Sequence, residues 1–257
     1  MGCDYSTRTR TEPEDHIRHY ESKSHFCALS PHRLEYVAIK YAPDRNLTET
    51  QVRKVWEKLE ISTKQQAKQD WSLEYRSTEG WDRNGLFTAA VLLSAGSVEE
   101  KCAVLFWLFV PGGGEFMDKG QGHNLSVSMM RAAISATPRL VPQKYRQAET
   151  FEQYITGLKR KEAAASTQLH SLLFAGAAVL TVPSLAAVFG GVQVCLLTLH
   201  GLRRYTEECS EQALRLSPGP PKPAKRLRFA QNIQEGPQSS PLETSQKPIL
   251  KRTLTIA

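Results

Sequence analysis

The chain of 257 residues has few aromatic residues (8%), five cysteines and no cluster of metal-ligating spacing. The cysteines, Cys3, Cys27, Cys102, Cys195 and Cys209, are odd in number and widely separated. Neither a CxxC pair nor a Cys/His spacing that would hold zinc is present. A reducing compartment fits this usage, with Cys27 and Cys102 as small core residues. Mean hydropathy of −0.39 excludes a polytopic membrane protein. Gly-Cys-Asp-Tyr-Ser follows Met1, and no apolar signal region follows it. Pro111-Gly112-Gly113-Gly114 lacks the Gly-Lys-Ser/Thr that completes a phosphate loop. The seven histidines are scattered, and no ordered Ser/His/Asp set or paired carboxylates point to an enzymatic reaction.

The charge that is there lies unevenly. The whole chain carries +7, of which residues 201–257 contribute +5 from ten Lys/Arg and five Asp/Glu. The tail from 214 to 257 is rich in Pro, Ser and Lys and reads as disordered. It holds Ser217-Pro218 and Ser240-Pro241, which have the form of proline-directed phosphorylation sites, and Lys225-Arg226-Leu227-Arg228-Phe229, which has the form of a short docking motif. Tail charge alone is a poor basis for nucleic-acid binding, and none is expected.

Gly2 with a hydroxyl residue at Ser6 fits N-myristoylation, and Cys3 beside the acceptor glycine fits palmitoylation. One acyl chain binds membranes reversibly and two hold firmly. At the other end, Ala163 to Leu202 contains no formal charge, and Leu172 to Leu199 is strongly apolar. That length exceeds the ~20 residues that a spanning helix needs. Pro183 divides it, so the expectation is one kinked membrane helix or a helical hairpin over 163–202. Both features place the protein at a membrane with its N-terminal domain on the cytosolic face and lipid as a partner.

The arm 1–28 is polar and reads as flexible. Ser30-Pro31 then starts a helix carrying Leu34, Val37, Ala38 and Tyr41 at helical spacing. Thr48 and Gln51 form a capping box before Val52, Val55, Trp56 and Leu59, and Ser97 with Glu100 forms another before the apolar run Cys102–Val110. A glycine-rich loop from Pro111 to Gly122 leads to a helix over 126–136. Residues 29–158 thus read as an all-α domain of paired helix–loop–helix units.

Glu99-Glu100-Lys101 with Phe106 and Phe109, and Asp82-Arg83-Asn84-Gly85-Leu86-Phe87, resemble the EF-hand superfamily in its neuronal calcium sensor and calcineurin-B-like branch. The resemblance implies a degenerate EF-hand-like fold that binds a protein partner, with Trp56, Phe106 and Phe109 as its contacts. It places Gly85 at the sharp turn of a loop and Phe87 at the small-sheet position. A calcium loop needs oxygen ligands at positions 1, 3 and 5 and a bidentate Glu at 12. Aligned on Gly85, only Asp82 and Asn84 remain as metal ligands, and position 12 is Val91. The reading is a membrane-anchored, non-enzymatic adaptor without a cofactor. A calcium sensor ligating through Asp82 and Asn84 is the alternative, and an enzyme with an unrecognised site is the second.

Overall fold

The structure, a computed structural model, describes residues 12–61, 70–190 and 193–216. The chain divides into units 1–217 and 218–257, and the second lies outside the described residues. So do the expected acylation sites Gly2 and Cys3 and the motifs of the tail.

The fold is mostly helical. After α1 (Glu12–Ser22) and a 3-10 turn (His25–Ala28) come α2 (Pro31–Tyr41), β1 (Asn46–Leu47) and α3 (Glu49–Lys58). A 3-10 segment (Asp70–Tyr75) leads to the hairpin β2 (Arg76–Ser77) and β3 (Gly80–Asp82), then to α4 (Arg83–Leu93). The second half holds α5 (Val98–Phe109), α6 (Lys119–Arg131) with a π-helical continuation (Ala132–Ala136), α7 (Gln143–Arg146), α8 (Glu149–Leu173), α9 (Val182–Gly190) and α10 (Leu199–Leu216).

Local chemistry explains where these helices start. Ser30 Oγ accepts from Arg33 N, with Pro31 in the first turn where its missing N–H costs nothing. Thr48/Gln51 and Ser97/Glu100 each form the reciprocal capping box. A third box, Asp118/Gln121, starts α6 at Lys119. The glycine-rich segment expected to be loop up to Gly122 is therefore helical from 119. Gly122 lies against the Phe174 ring, which leaves no room for a Cβ.

Two loop pairings organise the molecule. β1 pairs antiparallel with β3, setting Leu47 opposite Trp81. In the second half Met117 N donates to Leu180 O at 2.8 Å and Leu180 N to Met117 O at 3.0 Å. Each pair joins two helix–loop–helix units: α2/α3 with the 3-10 segment and α4, and α5/α6 with α8/α9. The residue of the second loop that pairs in the sheet is Trp81, six positions before Phe87, which the resemblance places there. Gly85 lies inside α4, where a Cβ would stand 2.6 Å from the Tyr75 ring. Phe87 is a core residue of the same helix. The glycine of this loop that does need an unusual backbone is Gly80, with φ +125° and no room for a Cβ, which would stand 2.7 Å from Leu47 O.

The uncharged stretch also departs from expectation. Among the described residues no helix is long and apolar enough to cross a membrane. Residues 163–202 instead form the end of α8, a turn, α9, a 3-10 turn (Val194–Leu197) and the start of α10. Pro183 is the second residue of α9, so it starts this helix and does not kink a longer one. Leu169, Leu173, Leu185, Phe189 and Leu202 are buried in one core with α4, α5 and α6, and α9 packs along α5. Hydropathy marks a stretch of which Leu173, Leu180, Leu185, Phe189, Leu196, Leu197 and Leu199 join the core, while Ala175, Ala178, Val179 and Ala187 stay exposed.

The arm is likewise anchored from residue 12 onward. Ile17 of α1 packs with Val141 and Phe151. Glu14 and Glu21, both buried, reach Arg203 of α10, which is fully buried. Arg203 Nε and Nη2 donate to Glu14 at 2.8 and 2.9 Å, and Nη1 and Nη2 donate to Glu21 at 2.7 and 3.0 Å. Nη1 also reaches Ala133 O at 3.1 Å, a carbonyl in the π-helical turn whose altered register leaves it open to a side chain. Tyr154 donates to Glu14 at 2.7 Å, and His200 Nδ1 lies 2.5 Å from it. Burial alone would raise the Glu14 pKa; the His200 and Arg203 contacts outweigh it and hold the carboxyl near 2.

An arginine-lined cleft as the candidate functional site

Three of the four loops share a device at their ends. In these the side chain that closes the loop caps its own exiting helix. Gln51 Oε1 accepts from Thr48 N at 2.8 Å, Gln121 Oε1 from Asp118 N at 2.8 Å, and Ser184 Oγ from Thr181 N at 2.7 Å. Each stands four residues beyond the paired residue of its loop, Leu47, Met117 or Leu180. In the fourth, that distance from Trp81 reaches Gly85, which has no side chain.

The sequence-predicted ligands Asp82 and Asn84 do come together. Both line a cavity of about 460 Å³ whose walls come from the first loop, the start of α4, the end of α5 and one face of α6. The same cavity is lined by Arg45, Arg83 and Arg131, with Leu108, Phe109 and Val127 as its apolar side. Asp82 Oδ2 stands 3.9 Å from Arg131 Nη1, and Asn84 Oδ1 accepts from Arg83 Nη1 at 3.1 Å. Both oxygens thus face guanidinium groups. Calcium takes six to eight oxygen ligands, and among the described residues no group of three or more His, Cys, Asp or Glu is placed to hold a metal ion. Three guanidiniums around one carboxylate repel a cation and favour an anion.

Arg83 is the unusual member. It is only 8% exposed, yet among the described residues it makes no ion pair. Its Nε donates to Ala42 O at 2.6 Å, and its guanidinium lies over the Trp107 ring, 4.9 Å from the centroid. These contacts fix its direction and leave its charge without a counter-ion. Burial lowers its pKa accordingly. Arg131 is held by Glu74 O and lies over the Tyr75 ring, 5.2 Å from the centroid. Arg45 is exposed and stands at the rim.

The expected partner contacts fare differently. Trp56 packs edge-to-face with Phe26 and Trp71 at 6.0 and 6.2 Å between ring centres, inside the core. Phe106 is buried in α5. Phe109 is also buried but lines the cleft. Sequence reasoning did not single out Arg45, Arg83 or Arg131, which lie on three separate elements. Only Arg83, quoted between Asp82 and Asn84, stood near a residue under scrutiny. Comparison with protein-family models, with curated proteins and with solved structures finds no match for this chain.

Proposed function

We propose that the protein is a non-enzymatic, membrane-attached adaptor, built on two pairs of degenerate EF-hand-like units, that takes an acidic group of a protein partner into the cleft between the pairs. The observation that carries this reading is the set of loop-end side chains. Gln51, Gln121 and Ser184 stand where a calcium loop presents its last ligand, and each is engaged in hydrogen bonds that cap a helix. The loops are therefore closed by hydrogen bonds, and their shape does not wait for a metal. The antiparallel contacts Leu47–Trp81 and Met117–Leu180 support the EF-hand resemblance, since paired loops of that kind meet through a short two-stranded contact. The excess of arginine in the cleft supports an acidic partner group. Membrane attachment rests on the acylation pattern at Gly2 and Cys3.

Calorimetric titration of the full chain with calcium tests the adaptor against the sensor. Absence of binding up to millimolar calcium is expected, and micromolar binding would overturn the reading. Vesicle flotation of wild type and Gly2→Ala from eukaryotic cells tests attachment: the wild type should float and the variant should stay with the soluble fraction.

A further inference from the structure

We infer that the group taken into the arginine-lined cleft is a dianionic phosphomonoester carried on an aromatic side chain of the partner. The inference rests on the adaptor reading for the partner's being a protein; the cleft supplies the chemistry. Arg45, Arg83 and Arg131 face one carboxylate, Asp82, which leaves a formal +2 in the cavity. Asp82 stands beside Arg131, so the surplus falls on Arg45 at the rim and Arg83 at depth. A phosphomonoester carries about −1.5 to −2 at neutral pH and matches that surplus, whereas a carboxylate carries half of it.

The geometry of Arg83 adds to this. Its Nε and Nη1 are occupied by Ala42 O and Asn84 Oδ1, while Nη2 makes no hydrogen bond to any described residue. Arg83 is only 8% exposed as a residue, its Nε is fixed by a backbone carbonyl and it lines the cavity, so an anion that enters the cavity and reaches Nη2 is stabilised there. Reaching it from the rim calls for a long side chain, and Leu108, Phe109 and Val127 give such a side chain an apolar wall. The 460 Å³ of the cavity is within the range of sites that enclose small ligands, about 300–1,000 Å³.

The test titrates the full chain with N-acetyl-phosphotyrosine amide and, separately, N-acetyl-glutamate amide, by calorimetry and by thermal shift. The phosphorylated probe should bind at least tenfold tighter than the glutamate probe. Arg45→Glu should weaken it by tenfold or more with an unchanged circular dichroism spectrum, because Arg45 is exposed and makes no side-chain hydrogen bond to a described residue. Arg83→Lys, which keeps the charge and loses the fork, should weaken it as well. Glutamate binding as tightly as phosphotyrosine would overturn the phosphate inference and leave acidic-partner capture standing. Binding of neither probe would overturn both. Phosphotyrosine binding that Arg45→Glu leaves unchanged would overturn the site.

Discussion

Replacing Arg203 with methionine probes what holds the two ends of the folded unit together. The substitution keeps an unbranched apolar stem and removes the guanidinium. Glu21 then loses every side-chain partner described for it, and Glu14 keeps only Tyr154 and His200. Breaking one side of a buried ion pair costs about 3–5 kcal/mol, most of it from leaving a buried charge uncompensated. The loss has a ceiling, because α1 can leave the surface and take both carboxylates into water. That escape sacrifices the burial of Ile17, which is fully covered, worth roughly 2–3 kcal/mol. The expected result is therefore a drop in Tm of about 4–12 °C, at roughly 2–4 °C per kcal/mol for a unit of this size. Hydrogen exchange should show amides 12–22 losing protection ahead of the rest. Adding Glu14→Met and Glu21→Met to Arg203→Met should recover most of the loss, since a well-packed apolar trio can replace a buried ionic one. A change in Tm below about 2 °C, with α1 still protected, would refute the view that this cluster fixes the N-terminal helix.

The same cluster sets an acid limit. Glu14 titrates near 2 in the folded state against 4.5 unfolded, so its contribution is complete above about pH 4.5 and disappears as the pH falls toward 2. It amounts to roughly 3 kcal/mol, and Glu14→Gln should flatten that limb in urea titrations between pH 5 and 2. Gly85→Ala should cost about 1–3 kcal/mol in chemical denaturation, because its Cβ would meet the Tyr75 ring and Asp82 Oδ2 at 2.6 Å inside a packed core. Leu185→Ala, in the middle of the uncharged stretch, should cost about 2–5 kcal/mol of unfolding free energy. A neutral result there would mean that α9 does not belong to the core.

Signals confined to a few neighbouring residues were legible in the sequence. Ser30-Pro31, Thr48/Gln51 and Ser97/Glu100 mark helix starts because a cap is a contact over three residues, and the structure uses all three. Asp118/Gln121 is the same motif, masked by Gly120 and Gly122, which lower helix propensity; the close approach of Phe174 accounts for the second glycine. The break of the apolar stretch into α8, α9 and α10 was not legible because hydropathy reports that residues avoid water without saying whether lipid or protein replaces it. The arm 1–28 reads as flexible because the partner of its carboxylates Glu14 and Glu21 lies 189 and 182 positions away. For the cleft, Asp82 and Asn84 were found together, but the arginines that reverse its sign come from three elements with no common local pattern.

Arg203 also imposes an order on how the chain can mature. Glu14 leaves the ribosome long before its guanidinium partner exists, and at about 5–20 residues per second the wait is roughly ten to forty seconds. During that interval Glu14 and Glu21 lack the guanidinium that later neutralises them. Folding of the first helix onto the rest must therefore follow synthesis of the last, and a chain cut short before residue 203 would retain its loop pairs while its leading segment stayed open to proteases.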